Sequence, residues 1–250
     1  MAHRGGAHLP GNEGLENSLA AFANAVALGY RYLETDVHAT ADGVLLAFHD
    51  HHLDRVTDGR GRVGDLPWRV VREARIGGTE PIPTLAELLD AFPEARVNVD
   101  VKHRSAVAPL VDAVRRTGAI DRVCVASFSD RRLAAVRRAL GPRLCTSYGP
   151  RDATTLRLLA ALPTDSVSVA RAVLPAGVPC AQLPHAVGRL PVTTARLVAL
   201  AHRAGVSVHV WTVDDPVRMR ALLDLGVDGL ITDRPDTLRD VLRERGLWER

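Results

Sequence analysis

Strand-like and helix-like segments alternate along almost the whole chain, and this alternation limits the folds that the chain can adopt. The strand-like segments lie at 1–4, 32–37, 96–101, 122–127, 143–147, 179–183, 207–212 and 229–232. Amphipathic segments separate them, and several end in glycine, the residue that helices favour just past their C-terminus. A helix between successive strands favours a parallel sheet. Eight such units predict an α/β fold, a single (β/α)8 or TIM barrel over residues 1–250.

One stretch interrupts the alternation. Residues 41–82 contain the turn ADG, the apolar run VLLAF and a segment rich in glycine and arginine, without a complete strand–helix unit. The stretch follows the second predicted strand. We therefore expect a small insertion after the second strand that lies over the mouth of the barrel.

The charge and hydropathy patterns restrict the partners of the chain. Its formal net charge is +3, and the arginines are scattered over predicted helices without interleaved aromatic residues. This pattern argues against nucleic-acid binding. The apolar runs are far shorter than the roughly 20 residues that cross a bilayer, and no basic-then-apolar leader opens the chain. We expect a cytoplasmic protein without stable membrane insertion that acts on a small molecule, and the sequence indicates no oligomeric state.

The three cysteines, Cys124, Cys145 and Cys180, are widely spaced. None belongs to a CxxC pair, and each lies in an apolar, strand-like run. This spacing predicts reduced core cysteines, with neither a disulfide framework nor a zinc site.

Charged residues collect at the C-terminal ends of the first three predicted strands, where active sites of such barrels lie. They are His3, Arg4, Glu34, Asp36, Asp100 and Lys102, the last being the only lysine in the chain. A pattern that served solubility alone would place charges on helix faces and in loops. The strand ends therefore predict an active site at the mouth of the barrel.

The carboxylates of this set need a neutralising partner. Glu34 and Asp36 are two residues apart on one strand, so their side chains share a face at a spacing of about 7 Å. Two such charges repel by roughly 2 kcal/mol at an effective dielectric of 20, and Asp100 adds to the repulsion. Three carboxylates suit a hard cation, Mg²⁺ or Ca²⁺, and a nearby histidine also admits Mn²⁺ or Zn²⁺. Alternatively, Arg4 and Lys102 alone neutralise them.

A hairpin at TADG would bring a second histidine to the same place. Antiparallel pairing with indices that sum to 83 or 84 sets His49 opposite Glu34 or Thr35. His3 lies one strand away. Two histidines beside a cation and an arginine suit phosphodiester chemistry, because one takes a proton and the other donates one. Arg4 and the cation would hold the phosphate oxygens.

Several ordered motifs resemble one known enzyme family. The motif AHRGG is followed by LENSLAAFANAVALGYRYLETDVHATADGVLLAFHDHHLDRVTDGRG, IPTLAELLDAF, VNVDVK, VHVWTVDD and GVDGLITDRPD. This set resembles the glycerophosphodiester phosphodiesterases nearly to the C-terminus. The resemblance implies a barrel with an insertion after the second strand. It also implies a divalent-metal phosphoric diester hydrolase that cleaves glycerophosphodiesters to an alcohol and glycerol 3-phosphate.

The resemblance also implies a role for each matching position. The implied catalytic histidines are His3 and His49, and the implied metal ligands are Glu34, Asp36 and Asp100. The implied phosphate-binding and substrate-binding residues are Arg4, Lys102, Glu16 and Trp211. The implied cofactor is one divalent cation, Mg²⁺ or Ca²⁺, with Mn²⁺ as a further candidate. Most members have Glu where this chain has Asp100, so we expect the cation to sit differently or to take an extra water.

Two other functions remain open from the sequence. A lyase or phospholipase D-like enzyme on the same barrel would release a cyclic phosphate from lysolipids and would use an exposed apolar lip. The insertion offers Leu66, Trp68, Val70 and Val71 for such a lip, although these residue types more often pack in a core. A non-catalytic ligand-binding barrel is favoured if the short first strand leaves His3 poorly ordered.

Overall fold

A computed structural model describes residues 1–162 and 167–248 of the chain. The β-strands are β1 (Ala2–His3), β2 (Tyr32–Ala39), β3 (Leu45–Ala47), β4 (Arg75–Ile76), β5 (Glu80–Pro81), β6 (Arg96–Val101), β7 (Val123–Ala126), β8 (Cys145–Thr146), β9 (Cys180–Pro184), β10 (Ala186–Val187), β11 (Leu190–Pro191), β12 (Ser207–Trp211) and β13 (Gly229–Leu230). The α-helices are α1 (Leu19–Ala27), α2 (Trp68–Val71), α3 (Leu85–Ala91), α4 (Val107–Arg116), α5 (Asp130–Leu140), α6 (Pro150–Ala161), α7 (Val167–Val173), α8 (Ala195–Arg203), α9 (Pro216–Asp224) and α10 (Pro235–Glu244).

Eight of these strands are parallel and follow one another around a barrel. Their ladders run in the orders β1-β2-β6-β7-β8 and β9-β12-β13. Single parallel bridges, Ser147–Cys180 and Ala2–Thr232, join the two groups. The predicted (β/α)8 barrel is confirmed. The short strand β1 is held on both sides, because His3 pairs with Glu34 of β2 and its N–H donates to Thr232 O at 2.9 Å.

The alternating sequence of the strands sorts side chains between two environments. In β6, Val97 and Val99 belong to the main apolar core that the barrel shares with its helices. Asn98 and Asp100 instead line the cavity at the mouth. Because successive side chains point to opposite faces of a strand, the polar side chains of β6 point into the barrel and its valines pack against the surrounding helices.

The segment 41–82 carries an apolar core of its own beside the C-terminal end of β2. Its members are Leu46, Phe48, Leu53, Val63, Val71, Ala74, Ile76 and Ile82. Strand β3 pairs antiparallel with β2, and the partners Val37 and Ala47 give an index sum of 84, one of the two predicted registers. Leu66 and Trp68 pack against this second core, so they do not form an exposed lip.

No helix in the ranges 1–162 and 167–248 combines the length and the apolar character that crossing a membrane requires. The cytoplasmic location stays a prediction from the sequence.

Candidate active site

The loop after β1 is shaped by close packing against two helices. Gly5 and Gly6 have φ values of 85° and 87°, and Arg4 itself is left-handed at 52°. A Cβ atom on Gly6 would lie 2.5 Å from Cγ of Pro235, and one on Gly5 would lie 2.9 Å from Cβ of Ala21. Only glycine adopts this backbone at this distance without strain. The tight loop turns Arg4 toward the ends of the neighbouring strands.

His3 lies between two carboxylates at the end of β1. Its Nδ1 is 2.8 Å from Oδ1 of Asp233, and its Nε2 is 3.8 Å from Oε2 of Glu34. Burial acts to lower the pKa of His3, but the charge on Glu34 and the hydrogen bond to Asp233 outweigh it and raise the pKa. Because Asp233 accepts the Nδ1 proton, Nε2 is the nitrogen that faces the cavity.

His49 follows β3 and is held in a similar way. Its Nδ1 is 2.6 Å from Oδ1 of Asp50. Arg55 donates to both oxygens of Asp50, at 2.6 and 2.9 Å. These hydrogen bonds hold the pKa of Asp50 well below its usual range, so the carboxylate stays ionised and keeps the proton on Nδ1 of His49.

Glu16 connects the two halves of the site. Its Oε1 accepts hydrogen bonds from Nη1 of Arg4 at 3.0 Å and from Nη2 of Arg55 at 2.7 Å. Its Oε2 accepts a further bond from Arg55 at 2.9 Å. Since Arg55 also binds Asp50, one chain of ion pairs runs from Arg4 to His49.

Lys102 lies between two of the predicted carboxylates. Its Nζ is 2.8 Å from Oδ1 of Asp36 and 2.7 Å from Oδ2 of Asp100. Nε of Arg4 also lies 3.0 Å from Oδ2 of Asp36, without hydrogen-bond alignment. Burial opposes ionisation of Asp36, yet Lys102 and Arg4 lower its pKa overall. The two basic residues therefore neutralise much of this pair.

Glu34 is the carboxylate that these basic side chains leave uncompensated. Within the described residues, its closest ionisable contact is His3, and it accepts a hydrogen bond from the backbone N–H of Arg4 at 3.2 Å. Burial, and then the charge of Asp36, raise the pKa of Glu34 to about 7. The cluster thus sets three carboxyl groups against two permanently charged basic groups, Arg4 and Lys102.

The donor set fits a hard divalent cation. All three carboxylates are buried, Glu34 and Asp36 on β2 and Asp100 on β6. Among the described residues, Oδ1 of Asp100 has no hydrogen-bond partner although it is buried. A buried carboxylate oxygen without a partner is costly, and a cation would relieve that cost together with the excess charge at Glu34.

A cavity of about 610 Å³ opens above these groups. Asn98 and Gln182 exchange hydrogen bonds of 3.3 and 2.7 Å across its floor. On one side, the rings of Phe128 and Trp211 meet edge to face at 5.5 Å, and Nζ of Lys102 lies 5.8 Å from the Phe128 ring. The cavity therefore combines a charged end with an apolar wall.

The structure brings the predicted residues together at this cavity. Those that line it are His3, Arg4, Glu34, Asp36, His49, Asp100, Lys102 and Trp211. Glu16 is connected to the residues that line the cavity through Arg4 on one side and through Arg55 and Asp50 on the other. The sequence reasoning assigned no role to three residues that hold the histidines in place, namely Asp50, Arg55 and Asp233. The sequence contains a signal for both carboxylates, because Asp50 adjoins His49 and Asp233 follows a predicted strand. It contains no such signal for Arg55.

The fold and site define a (β/α)8 barrel with paired histidines, carboxylates and basic groups at its mouth. Residues 3–237 match the glycerophosphoryl diester phosphodiesterase family, so the chain belongs to that family of phosphodiester hydrolases. It is 45% identical over 251 residues to "Probable glycerophosphodiester phosphodiesterase 2" of Mycobacterium tuberculosis, covering 100% of this chain and 92% of that protein.

Solved structures agree with this assignment. The glycerophosphodiester phosphodiesterase of Agrobacterium tumefaciens superposes with a TM-score of 0.76 at 25% identity, covering 97% of each chain. An Oleispira antarctica phosphodiesterase, solved in complex with the product sn-glycerol-3-phosphate, gives a TM-score of 0.78 at 22% identity and covers 97% of this chain and 95% of that one.

Proposed function

We propose that the protein hydrolyses glycerophosphodiesters to an alcohol and glycerol 3-phosphate with the help of one divalent cation. The observation that carries the proposal is the pair of imidazoles at one cavity, each with Nδ1 bound to a carboxylate. Both rings then direct Nε2 at a bound diester. The similar Oleispira enzyme, whose structure contains sn-glycerol-3-phosphate, supports this product class.

The two histidines divide the proton transfers. One Nε2 accepts the proton of the attacking hydroxyl, and the protonated Nε2 of the other ring gives its proton to the leaving alcohol oxygen. Asp50 and Asp233 hold the rings in the tautomer that this requires. Arg4 and Lys102 supply the positive charge that binds the phosphate oxygens and stabilises them as charge develops.

Glu34, Asp36 and Asp100 would hold the cation, Mg²⁺ or Ca²⁺, with Mn²⁺ as a further candidate. Bound there, it would polarise a phosphoryl oxygen and lower the pKa of the attacking hydroxyl. The uncompensated Glu34 and the partnerless oxygen of Asp100 support this assignment.

The test is an assay with glycerophosphocholine, glycerophosphoethanolamine and bis(4-nitrophenyl) phosphate, each with Mg²⁺, Ca²⁺ or Mn²⁺. We expect turnover that chelation abolishes and that His49→Ala reduces by at least about 100-fold. His52→Ala, which removes an exposed imidazole in the same segment, is the matched control and should keep its activity. No turnover with any cation, or equal activity of the two variants, would overturn the proposal.

A second candidate is cleavage of lysolipids, and one observation favours it. Phe128, Leu158 and Val187 line the cavity although they are 61%, 64% and 65% exposed. An exposed apolar rim of this kind suits an acyl chain. These residues lie on the loop after β7, on α6 and on β10, and none of them belongs to the insertion.

Phosphorus NMR of the products separates the two candidates. If the protein turns over lysophosphatidylcholine faster than glycerophosphocholine and a cyclic phosphate accumulates, lysolipid cleavage is the favoured function. Phe128→Ser combined with Leu158→Ser should then lower the rate on the lysolipid alone. We expect instead that the water-soluble diester is the better substrate and that glycerol 3-phosphate is the product.

A further inference from the structure

Three cysteine side chains meet inside the barrel. Cys124 lies on β7, Cys145 on β8 and Cys180 on β9. Their sulfur atoms all lie within 4.8 Å of one another, and those of Cys124 and Cys180 are 3.9 Å apart. All three residues are free cysteines. Although they are 21 and 35 positions apart in the sequence, neighbouring parallel strands bring them to one place.

The cysteine cluster lies beneath the active site and is separate from it. Ala126, Ser147 and Gln182 line the active-site cavity, and each stands two positions after one of the cysteines. In the described part of the chain, none of the three cysteines lines that cavity. Two residues along a strand correspond to about 7 Å, so the thiols lie one layer closer to the N-terminal end of the barrel.

A histidine lies near the thiols but one layer closer to the cavity. His209 of β12 lies directly opposite Gln182 of β9, and its Nδ1 is buried without a hydrogen-bond partner in the described residues. The ring occupies the space beside Gly229, where an added Cβ would lie 2.9 Å from Cδ2 of His209. Burial lowers the pKa of His209, although a charge on Cys145 acts to raise it. His209 is therefore a neighbour of the cysteine cluster and not one of the side chains whose ligand atoms meet there.

We propose that Cys124, Cys145 and Cys180 form a binding site for a thiophilic d¹⁰ cation, Zn²⁺. Tetrahedral zinc with bonds of about 2.3 Å places its sulfurs about 3.8 Å apart. The 3.9 Å separation of Cys124 and Cys180 already meets this requirement. Each thiol releases its proton to solvent as its sulfur binds.

Ligand chemistry keeps this site distinct from the proposed catalytic one. Thiolate ligands select zinc, whereas the carboxylates at the mouth select Mg²⁺ or Ca²⁺. The proposal does not depend on the reaction that the mouth catalyses.

The site also has a mechanical consequence. Strands β8 and β9 are joined only by the bridge between Ser147 and Cys180 in the described structure, whereas β7 and β8 share a two-residue ladder. A cation bound by one cysteine from each of these three strands would link β7, β8 and β9 where β8 and β9 are otherwise weakly paired. Zinc should therefore raise the thermal midpoint of the reduced protein.

The test is a Co²⁺ titration of the reduced, metal-free full chain, followed by absorption spectroscopy. We expect a sulfur-to-cobalt charge-transfer band that saturates at one equivalent and disappears when Zn²⁺ is added. Cys180→Ser should lose the band. Asp100→Asn, which alters only the carboxylate site, should keep it while losing phosphodiesterase activity. His209→Ala should keep the charge-transfer band, because the ligand atoms that meet in the cluster are those of the three cysteines.

A second measurement on the unmodified chain guards against a variant that fails to fold. Bound Zn²⁺ should slow modification of the thiols by Ellman's reagent, and a chelator should restore the fast reaction. A reduced wild-type chain that shows no charge-transfer band and whose thiols react equally fast with and without Zn²⁺ would overturn the proposal. A charge-transfer band that survives in Cys180→Ser but is lost in Asp100→Asn would also overturn it.

Discussion

Nδ1 of His49 lies 2.6 Å from the carboxylate of Asp50, the next residue in the chain. His3 has the same relationship to Asp233, at 2.8 Å, although 230 positions separate that pair. A carboxylate on Nδ1 fixes both the tautomer and the orientation of an imidazole. The two proton-transferring groups of the proposed reaction are thus held in the same way from opposite ends of the chain.

Removing the charge of Asp50 should slow catalysis without weakening substrate binding. In Asp50→Asn the side-chain amide no longer enforces the Nδ1–H tautomer, so we expect kcat to fall by about 10- to 100-fold. KM should change little, because Asp50 binds His49 and Arg55 rather than the phosphate. Steady-state kinetics with glycerophosphocholine measure both parameters. Asp54→Asn, in the same segment, is the control, and equal kcat values for the two variants would contradict the positioning role.

Arg55 should matter for activity much more than for stability. Its side chain is 50% exposed, so its ion pairs with Glu16 and Asp50 contribute less than about 1 kcal/mol to the free energy of unfolding. Arg55→Ala should nevertheless lower kcat about tenfold, because Asp50 loses the donors that keep it aligned. The pKa of Asp50 should also rise, so that the acidic limb of the pH–rate profile moves to higher pH.

Arg60→Ala provides the matched comparison for Arg55. Arg60 is 82% exposed and pairs only with Asp54 among the described residues. Its removal should leave both kcat and the pH profile as they are in the wild type. A pH–rate profile of Arg55→Ala that superposes on that of Arg60→Ala would show that Asp50 does not need the guanidinium.

Sequence reasoning predicted the barrel because its evidence was periodic and local. The strand predicted at 96–101 has the same bounds as β6, and the turn limited the hairpin register to index sums of 83 or 84, of which the structure has 84. The histidine–carboxylate pair of His3 and Asp233 could not be predicted in this way. It depends on the closure of β13 onto β1, which no local pattern encodes.

The cysteine cluster also could not be predicted from the sequence. The spacing of the cysteines along the chain predicted reduced core cysteines without a disulfide framework or a zinc site, because ligand spacing rules assume that a metal site lies within one loop or hairpin. In a parallel barrel, the register of successive strands decides which side chains meet. Cys124 and Cys145 are direct partners in the ladder between β7 and β8.

The second glycine of the HRGG loop should be essential for stability for two separable reasons. Gly6→Ala combines a left-handed φ of 87° with a Cβ that would lie 2.5 Å from Cγ of Pro235. Gly43→Ala has nearly the same φ, 84°, but no atom within 4 Å of the added Cβ. We expect Gly43→Ala to cost about 1–2 kcal/mol and Gly6→Ala about 1–3 kcal/mol more. Urea unfolding measures both, and equal losses would show that packing against Pro235 is not limiting.

Lengthening Asp100 should change the response to the cation. Its Oδ1 has no partner among the described residues, whereas Lys102 binds its Oδ2. Asp100→Glu extends the carboxylate by one methylene, so we expect the ratio of the half-activating Mg²⁺ and Ca²⁺ concentrations to shift about tenfold, because Mg²⁺ tolerates little change in geometry. Asp100→Asn should lose most of the activity with either ion. Identical activation curves for the wild type and Asp100→Glu would remove Asp100 from the ligand set.

Replacing Glu34 should stabilise the metal-free protein while abolishing activity. The pKa of Glu34 is raised from 4.5 to about 7, first by burial and then by Asp36. A carboxyl group with a raised pKa binds its proton more tightly in the folded than in the unfolded state. Stability therefore falls as pH rises from the unfolded to the folded pKa, and the loss is complete above the folded value.

Glu34→Gln carries no charge to bury at position 34. The difference in the free energy of unfolding between this variant and the wild type should therefore depend on pH. In the presence of a chelator at about pH 8, we expect it to be more stable than the wild type by about 1–3 kcal/mol. At about pH 4 the difference should disappear, because Glu34 is then protonated in both states. Added Mg²⁺ or Ca²⁺ should stabilise the wild type and leave Glu34→Gln unchanged. Urea unfolding at both pH values measures these differences, and a wild type that is the more stable of the two at about pH 8 would show that Glu34 is not an uncompensated buried charge.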